Sequence, residues 1–398
     1  MYVYDQLHLV TASKVFVSGD NHLEPSLVLD FKTNEGCSSL PKSLWRTSWP
    51  ADSGNYVTKG IGGMLGNISI FCASTNWQFH DDQNYFDLWD GCMIWKNNTW
   101  RRGPNMLTSR MSNPAGIVMQ GKVWYTGGLT CSGYRYLNLA PTEEFDAEFR
   151  TRDNCSLILK STELISLEST EPFVDMPKSL LAHCIIKISE DLAMVTGGRT
   201  ESDEDPTRMA MYFEKSTHFF SFFNQRWLPG PDLSIGRHDH ACGTFLMGDE
   251  TIMAVAGGYR QLTVDEQRRT DSVEFLSLQN LDNGWFKGPK LPHFMALFPM
   301  LTSPNGKGLI TIGGEIEADT GIEAFDGVFE LKCDDEVLDN CSWLESPFNM
   351  TQIVGEGFKE YIVRRGIHGG RYNHVAFWIP ESLNMCQSKQ DEDQESEE

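Results

Sequence analysis

Basic residues are scarce in this chain. Its 398 residues include 33 lysines and arginines against 55 aspartates and glutamates, a formal net charge of −22. Such a surface repels the phosphates of nucleic acid, whose binding needs clustered Lys and Arg, and gains nothing from an anionic bilayer. No run of about 18 apolar residues occurs, so no transmembrane helix is expected. Met1 to Val10 has no basic start, no long apolar core and no small-residue cleavage site, and does not read as a signal peptide. Also missing are a GxSxG elbow, a phosphate-binding loop, an HExxH helix and a dinucleotide fingerprint. The ten cysteines are not in CxxC or Cys/His metal spacing, which speaks against zinc. Neither a metal nor a cofactor is expected.

Glycine, at 35, and tryptophan, at 11, are plentiful, as in a turn-rich all-β fold with a recurring aromatic. A short apolar strand ending in a small-residue doublet recurs six times. Four copies are intact, closing on Gly127-Gly128, Gly197-Gly198, Gly257-Gly258 and Gly313-Gly314; two are degenerate, closing on Gly19-Asp20 and Ala73-Ser74. Each is followed by an aromatic before a Pro-containing turn: Trp45, Trp100, Phe173, Trp227, Trp285 and Trp343. These stand roughly 54 to 73 residues apart, close to a repeat of about 50 plus loops. Another apolar strand precedes each doublet strand across a tight polar turn, as in Ala115 to Met119 before Gln120-Gly121-Lys122. Each unit therefore reads as a four-stranded antiparallel sheet, too small to bury both faces alone, so that neighbours must stack. The glycines allow close backbone approach, and the aromatics supply flat surface between units.

The order Arg110-x-x-Asn113, apolar strand, Gly127-Gly128 and a closing aromatic resembles the kelch repeat, over about residues 7 to 380. The resemblance implies an all-β fold, a six-bladed β-propeller in one domain spanning 1–386. Its blades fall at about 7–50, 51–106, 107–177, 178–233, 234–291 and 292–350. Phe173 stands where Trp is usual, and Leu180 stands where other units have Arg. Arg371 to Phe377 matches the first strand that begins at Arg237, so residues 372–379 are expected to complete the first blade, as kelch propellers commonly close; the alternative is a strand at Leu7 to Val10. Closure removes unpaired strand edges. Residues 387–398, acidic from Asp391, read as a solvated disordered tail.

Cys131 and Cys155 bracket an insertion after the third doublet; bonded, they would close a loop worth about 3 kcal/mol. Cys333 and Cys341 flank a hairpin, Cys72 and Cys92 lie on successive strands, and Cys37 with Cys386 would staple the ring. Cys184 and Cys242, on first strands of adjacent units, read as buried thiols. Sequons begin at Asn67, Asn97, Asn154, Asn340 and Asn349, all at expected turns or loops. Cysteine placement and sequons together point to a secreted glycoprotein; the absent leader points to the cytoplasm.

The leading functional expectation is a monomeric, non-enzymatic scaffold binding a protein or glycan on one propeller face. Loops after the doublet strands and loops leading into first strands emerge at the same end of each sheet. They carry Trp77, His80, Arg110, Arg237, His238, Tyr259, Arg260 and Arg371, types that anchor interfaces. The competing reading makes the arginine before a first strand structural, hydrogen-bonded to backbone between blades. His238 and His240, two apart, would share one face of a strand. The loop Glu201 to Asp205 is acidic but lacks calcium-site spacing. Some proteins of this fold are copper radical oxidases similar to galactose oxidase, but their two histidines, two tyrosines and cross-linked cysteine are not recognisable here. A third possibility is a cytosolic adaptor working in trans, since kelch propellers are often joined to BTB and BACK domains absent from this chain.

Overall fold

The computed structural model describes residues 13–18, 27–33, 35–38, 54–58, 61–72, 75–80, 83–88, 91–96, 99–110, 114–130, 157–200, 212–263, 266–318, 321–333, 338–350 and 375–381. Among them, strands carry the fold, and six four-stranded antiparallel sheets follow one plan. The third shows why. Ala115–Met119 turns through Gln120 (φ 49°) and Gly121 (φ 72°) into Lys122–Thr126, the left-handed pair that a two-residue hairpin needs. Lys122–Thr126 then pairs with Thr162–Ile165, and that strand with Thr170–Phe173. Val123 to Thr126 is buried at every position, so this strand reads as an unbroken apolar run rather than an alternation.

The second sheet is Ile61–Leu65, Ile68–Cys72, Gly91–Lys96 and Thr99–Asn105. The fourth is Cys184–Lys187, Leu192–Thr196, Thr217–Ser221 and Arg226–Pro229. The fifth is Ala241–Met247, Glu250–Ala256, Val273–Ser277 and Phe286–Lys287. The sixth is Met300–Thr302, Leu309–Ile312, Gly327–Cys333 and Cys341–Asn349. The first takes Lys14–Ser18, Leu27–Asp30 and Glu35–Ser38 from one end of the chain and Val375–Ile379 from the other, in register from Lys14↔Ile379 to Ser18↔Val375. The alternative strand at Leu7 to Val10 lies outside the described residues, as do Trp45 and the acidic tail.

The core lies between sheets. Ile61, Ile70 and Cys72 pack with Val123, Tyr125 and Ile165 across sheets two and three. Trp124 packs with Ile185, Val195 and Phe220 across three and four, and Ile186 and Met194 with Met253 and Val255 across four and five. Phe245 and Phe275 meet Leu309 and Phe329 across five and six. Ile310 and Ile312 meet Val15, Val17 and Ala376 across six and one. The leading strands touch in chain order, and Val375–Ile379 touches both Ile61–Leu65 and Met300–Thr302.

The closing tryptophans add hydrogen bonds to this packing. The indole N–H of Trp227 donates to Asp175 O at 2.7 Å, Trp285 to Pro231 O at 2.8 Å and Trp343 to Pro289 O at 3.1 Å. Each therefore reaches the turn that ends the preceding sheet. Phe173 has no such donor and instead packs on Phe220 and Phe222 of the fourth sheet. Of Trp100 only the strand is described.

Three disulfides tie the described residues. Cys72–Cys92 and Cys333–Cys341 each join directly paired strands. Cys184–Cys242 corrects the buried-thiol expectation: the leading strands of sheets four and five run close enough for their cysteines to bond across the interface. Cys37 is disulfide-bonded; Cys131, Cys155 and Cys386 lie outside the described residues.

Candidate binding face

Each glycine doublet turns the chain under the lead-in of the next sheet. Gly127, Gly197, Gly257 and Gly313 have φ between 56° and 63°, a region that favours glycine. A Cβ on Gly197 would sit 2.6 Å from Arg237 O and 2.7 Å from the His240 ring, and one on Gly127 would sit 2.3 Å from Leu180 O. The second glycine donates across the interface: Gly128 N–H to Leu180 O, Gly198 to Arg237 O and Gly258 to Met295 O. Three residues into each lead-in stands the ring that the doublet accommodates. Thr126 Oγ1 lies 2.7 Å from His183 Nε2, and Thr196 Oγ1 lies 3.0 Å from His240 Nε2. Thr126 donates its own proton to Ala115 O, so His183 donates from Nε2 and its buried Nδ1 is left bare. Where Ala256 replaces the threonine, Phe298 replaces the histidine. Burial, with Arg110 nearby, lowers the His183 pKa to about 3. Burial, then Arg237 and His238, holds His240 well below the ordinary histidine range.

The lead-ins also bond to one another: Asp239 N–H donates to Ala182 O, and Leu297 N–H to Asp239 O. Ala182, Asp239 and Leu297 occupy the same place in three consecutive units, and all have positive φ, between 50° and 61°, a costly conformation for a residue with a Cβ. This bend at Asp239 corrects the expectation that His238 and His240 share a strand face. His238 ends the strand Arg237–His238, whereas His240 lies beyond the bend, beneath Gly197.

Arg110, Arg237 and His238 are buried, which corrects their expected role as surface contacts. Both arginines are structural, but within their own sheet rather than between sheets. Arg110 donates to Gly127 O, Ser161 O and Glu163, with its closest carboxylate oxygen at 2.6 Å. Arg237 repeats this with Gly257 O, Ser272 O and Glu274, at 2.5 Å. Where Leu180 and Met295 replace the arginine, His218 and Phe329 stand at the glutamate's place in the ladder. Both partners are lost together, since an unpaired buried charge would be costly.

Beyond each doublet the chain forms a short hairpin. Arg199–Thr200 pairs with Tyr212–Phe213. Tyr259–Gln261 pairs with Arg237–His238 on one side and Gln267–Arg269 on the other. Glu315–Ala318 pairs with Met295–Ala296 and Gly321–Ala324. Gly54–Thr58, Thr75–His80 and Gln83–Leu88 form the corresponding sheet beside the second unit. The hairpins of units four to six are joined. His238 lies edge-on to Phe213 and stacks on Tyr259 at 5.1 Å; its Nδ1 lies 2.7 Å from Asp239 Oδ2 and its Nε2 3.1 Å from Gln267 Oε1. The Tyr259 hydroxyl donates to Glu315 at 2.5 Å and accepts from Arg269, which also pairs with Glu315 at 2.9 Å. Burial, then the bond to Glu315, raises the Tyr259 pKa. Arg199 lies over the Phe213 ring, and burial lowers its pKa. The result is a half-buried belt of ring contacts, hydrogen bonds and an ion pair that ties the three hairpins together.

Arg260 is exposed on the middle hairpin. Trp77 and His80 lie in Thr75–His80, opposite Tyr56 and Gln83 respectively. Arg371 lies outside the described residues, as does the Cys131–Cys155 insertion, but Leu129–Thr130 pairs with Leu157–Ile158 and clasps the insertion's two ends. Asn67 and Asn340 are exposed, Asn349 ends its strand, and Asn97 and Asn154 lie outside the described residues, as does the acidic loop at 201–205. Phe213, Asp239, Arg269 and Glu315 escaped sequence reasoning; each lies in a strand of four residues or fewer or at a bend, too short for periodicity to register. Among the described residues no cluster of three or more His, Cys, Asp or Glu could hold a metal, and no helix is long and apolar enough to cross a membrane.

No protein-family profile matches the chain, and no curated protein matches it. Among solved structures it is similar to YjhT, a β-propeller, with a TM-score of 0.59 and 12% identity over 84% of this chain and 97% of that one. That similarity, with the stacked antiparallel sheets, shows a β-propeller fold.

Proposed function

We propose that the chain is a six-bladed, kelch-type propeller closed by its C-terminal strand, and that it works outside the cell as a non-enzymatic binding scaffold. The cyclic contact of the leading strands and the doublet with its closing tryptophan support the blade count and the repeat type. The belt through Phe213, His238, Tyr259, Arg269 and Glu315 carries the functional reading. It ties three hairpins together on one end of the sheets, which lowers the ordering cost of binding a partner there. Disulfides form and persist in oxidising compartments, and the three described here support an extracellular location.

Two measurements test this reading. Intact mass of the protein from a eukaryotic cell is expected to fall after glycosidase treatment and to shift on reduction by paired cysteines. An unglycosylated chain with ten free thiols would favour the cytosolic adaptor instead. Removing residues 131–155, a long insertion that the scaffold reading takes as a recognition element, is expected to leave folding intact, because Leu129–Thr130 and Leu157–Ile158 already bring the ends together, and to abolish partner binding. Loss of cooperative unfolding in that variant would show that the insertion is structural.

A further inference from the structure

Two asparagines stand at the end of the sheets that faces away from the hairpins. In the second sheet Ile61 pairs with Cys72, just before the degenerate doublet, and Leu65 pairs with Ile68 at the other end. Gly66 and Asn67 make the turn there. In the sixth sheet Ile312, beside Gly313, pairs with Val328, whereas Cys333 pairs with Cys341 at the far end. Asn340 closes the short helical turn Leu338–Asn340 that leads into Cys341. The sheets between them keep one orientation. Trp378 and Thr302 both lie towards the turn ends of their strands, and the Trp378 indole N–H donates to Thr302 O at 2.9 Å. A Cβ on Gly62 would sit 2.8 Å from the Phe377 ring. Sheets six, one and two thus present their turns on the same side, opposite the doublets and the hairpins beyond them.

Both asparagines begin an Asn-x-Ser sequon, Asn67-Ile68-Ser69 and Asn340-Cys341-Ser342. Both are exposed, and neither side chain makes a hydrogen bond among the described residues. Even a Cβ on Gly66 would meet nothing within 4 Å, so the space around that turn is open. A glycan is bulky and hydrated, and only a site of this kind accommodates one. Asn349 differs. It pairs with Gly327 at the doublet end, and Met350 after it is fully buried and donates its N–H to Asp326 O.

Resting on the extracellular reading above, we propose that Asn67 and Asn340 carry N-linked glycans and that Asn349 stays bare. In the transfer, the Asn Nδ2 gives up a proton and bonds to the anomeric carbon of a lipid-diphosphate-linked oligosaccharide, and the lipid diphosphate leaves. The sugars then stand on the turn end of the second and sixth sheets. They obstruct close approach on that side and direct a protein partner to the end that carries the hairpins.

The test expresses the full chain behind a cleavable secretion leader in a eukaryotic cell, which sends it through the glycosylating compartment whatever its native address. Protein from the medium and from the cells is treated with peptide N-glycosidase in heavy-oxygen water. Peptide masses then report the labelled Asn→Asp conversion that marks each occupied site. Label at Asn67 and Asn340, and none at Asn349, is expected. Asn67→Gln and Asn340→Gln should each remove one glycan from the intact mass and leave cooperative unfolding in place, since neither side chain bonds to the fold. A bare Asn67 or Asn340, or a labelled Asn349, in disulfide-bonded protein would overturn the proposal and leave the extracellular scaffold reading standing. The native chain without the added leader tests that reading separately: free thiols and no sugar there would remove both.

Discussion

Acidification from pH 7 to pH 5 is expected to destabilise the fold by about 2 kcal/mol through His183 alone. Unfolded, this histidine takes a proton near pH 6.5; folded, fully buried and beside Arg110, it does so only near pH 3. The unfolded chain therefore binds more protons throughout that window. Stability is complete above about pH 6.5 and is lost progressively as pH falls towards 3. His240 acts with the same sign, for the same reason of burial. The chain supplies its own control, since the Phe298 ring beneath Gly257 fills the same place without a titratable group. Urea melts of the wild type and of a Thr126→Ala, His183→Phe variant should be compared at the two pH values. The variant's loss between pH 7 and pH 5 should be smaller by about 2 kcal/mol, at unchanged m-value. An equal loss in both proteins would mean that His183 is not held neutral in the fold.

The same contact shows what could be read in advance. Gly197-Gly198 is visible in the sequence because a Cβ at the first position meets the next unit's lead-in, 2.6 Å from Arg237 O, and one at the second meets its own unit's lead-in, 2.8 Å from His183. Backbone sterics leave a fixed residue type at a fixed place, and the ends of the four strands with an intact doublet followed from it. The strand beside Lys14–Ser18 was legible for a related reason, since Arg371 to Phe377 copies a first strand that no nearby unit can use. The proposed binding face was less legible. Arg110 and Arg237 look like surface anchors in sequence because their partners, Glu163 and Glu274, lie 53 and 37 residues away. A buried pair separated by an insertion has no local pattern. The cue available was the joint absence of both partners in the fourth and sixth units. The belt from Phe213 to Glu315 had no cue of this kind, because its members come from three hairpins that only the stacking of sheets brings together. Cys184 and Cys242 were missed similarly: two leading strands 58 residues apart become neighbours only once the sheets are stacked.

Replacing Trp227 by alanine is expected to cost about 2 to 3 kcal/mol, below the range of a fully buried tryptophan because its ring is only partly buried. The ring packs on Trp124 and Phe220, at centroid distances of 5.8 and 4.7 Å, in the wedge shared by the third and fourth sheets. Its N–H also holds Asp175 O of the preceding sheet. Trp227→Phe separates the two contributions. It keeps most of the ring contact and gives up the hydrogen bond, which should cost about 1 kcal/mol for the bond itself, plus a smaller packing loss. The natural Phe173 shows that a closing aromatic without that donor is tolerated once. Chemical denaturation should therefore rank wild type, Trp227→Phe and Trp227→Ala in that order. A four-stranded sheet cannot bury both faces by itself, so the loss should appear as one earlier cooperative transition of the whole chain, not as a separate early phase. An alanine variant within about 1 kcal/mol of wild type would remove Trp227 from the interface between sheets. An early, partial transition at the fourth sheet alone would show that the sheets hold together less cooperatively than their shared cores imply.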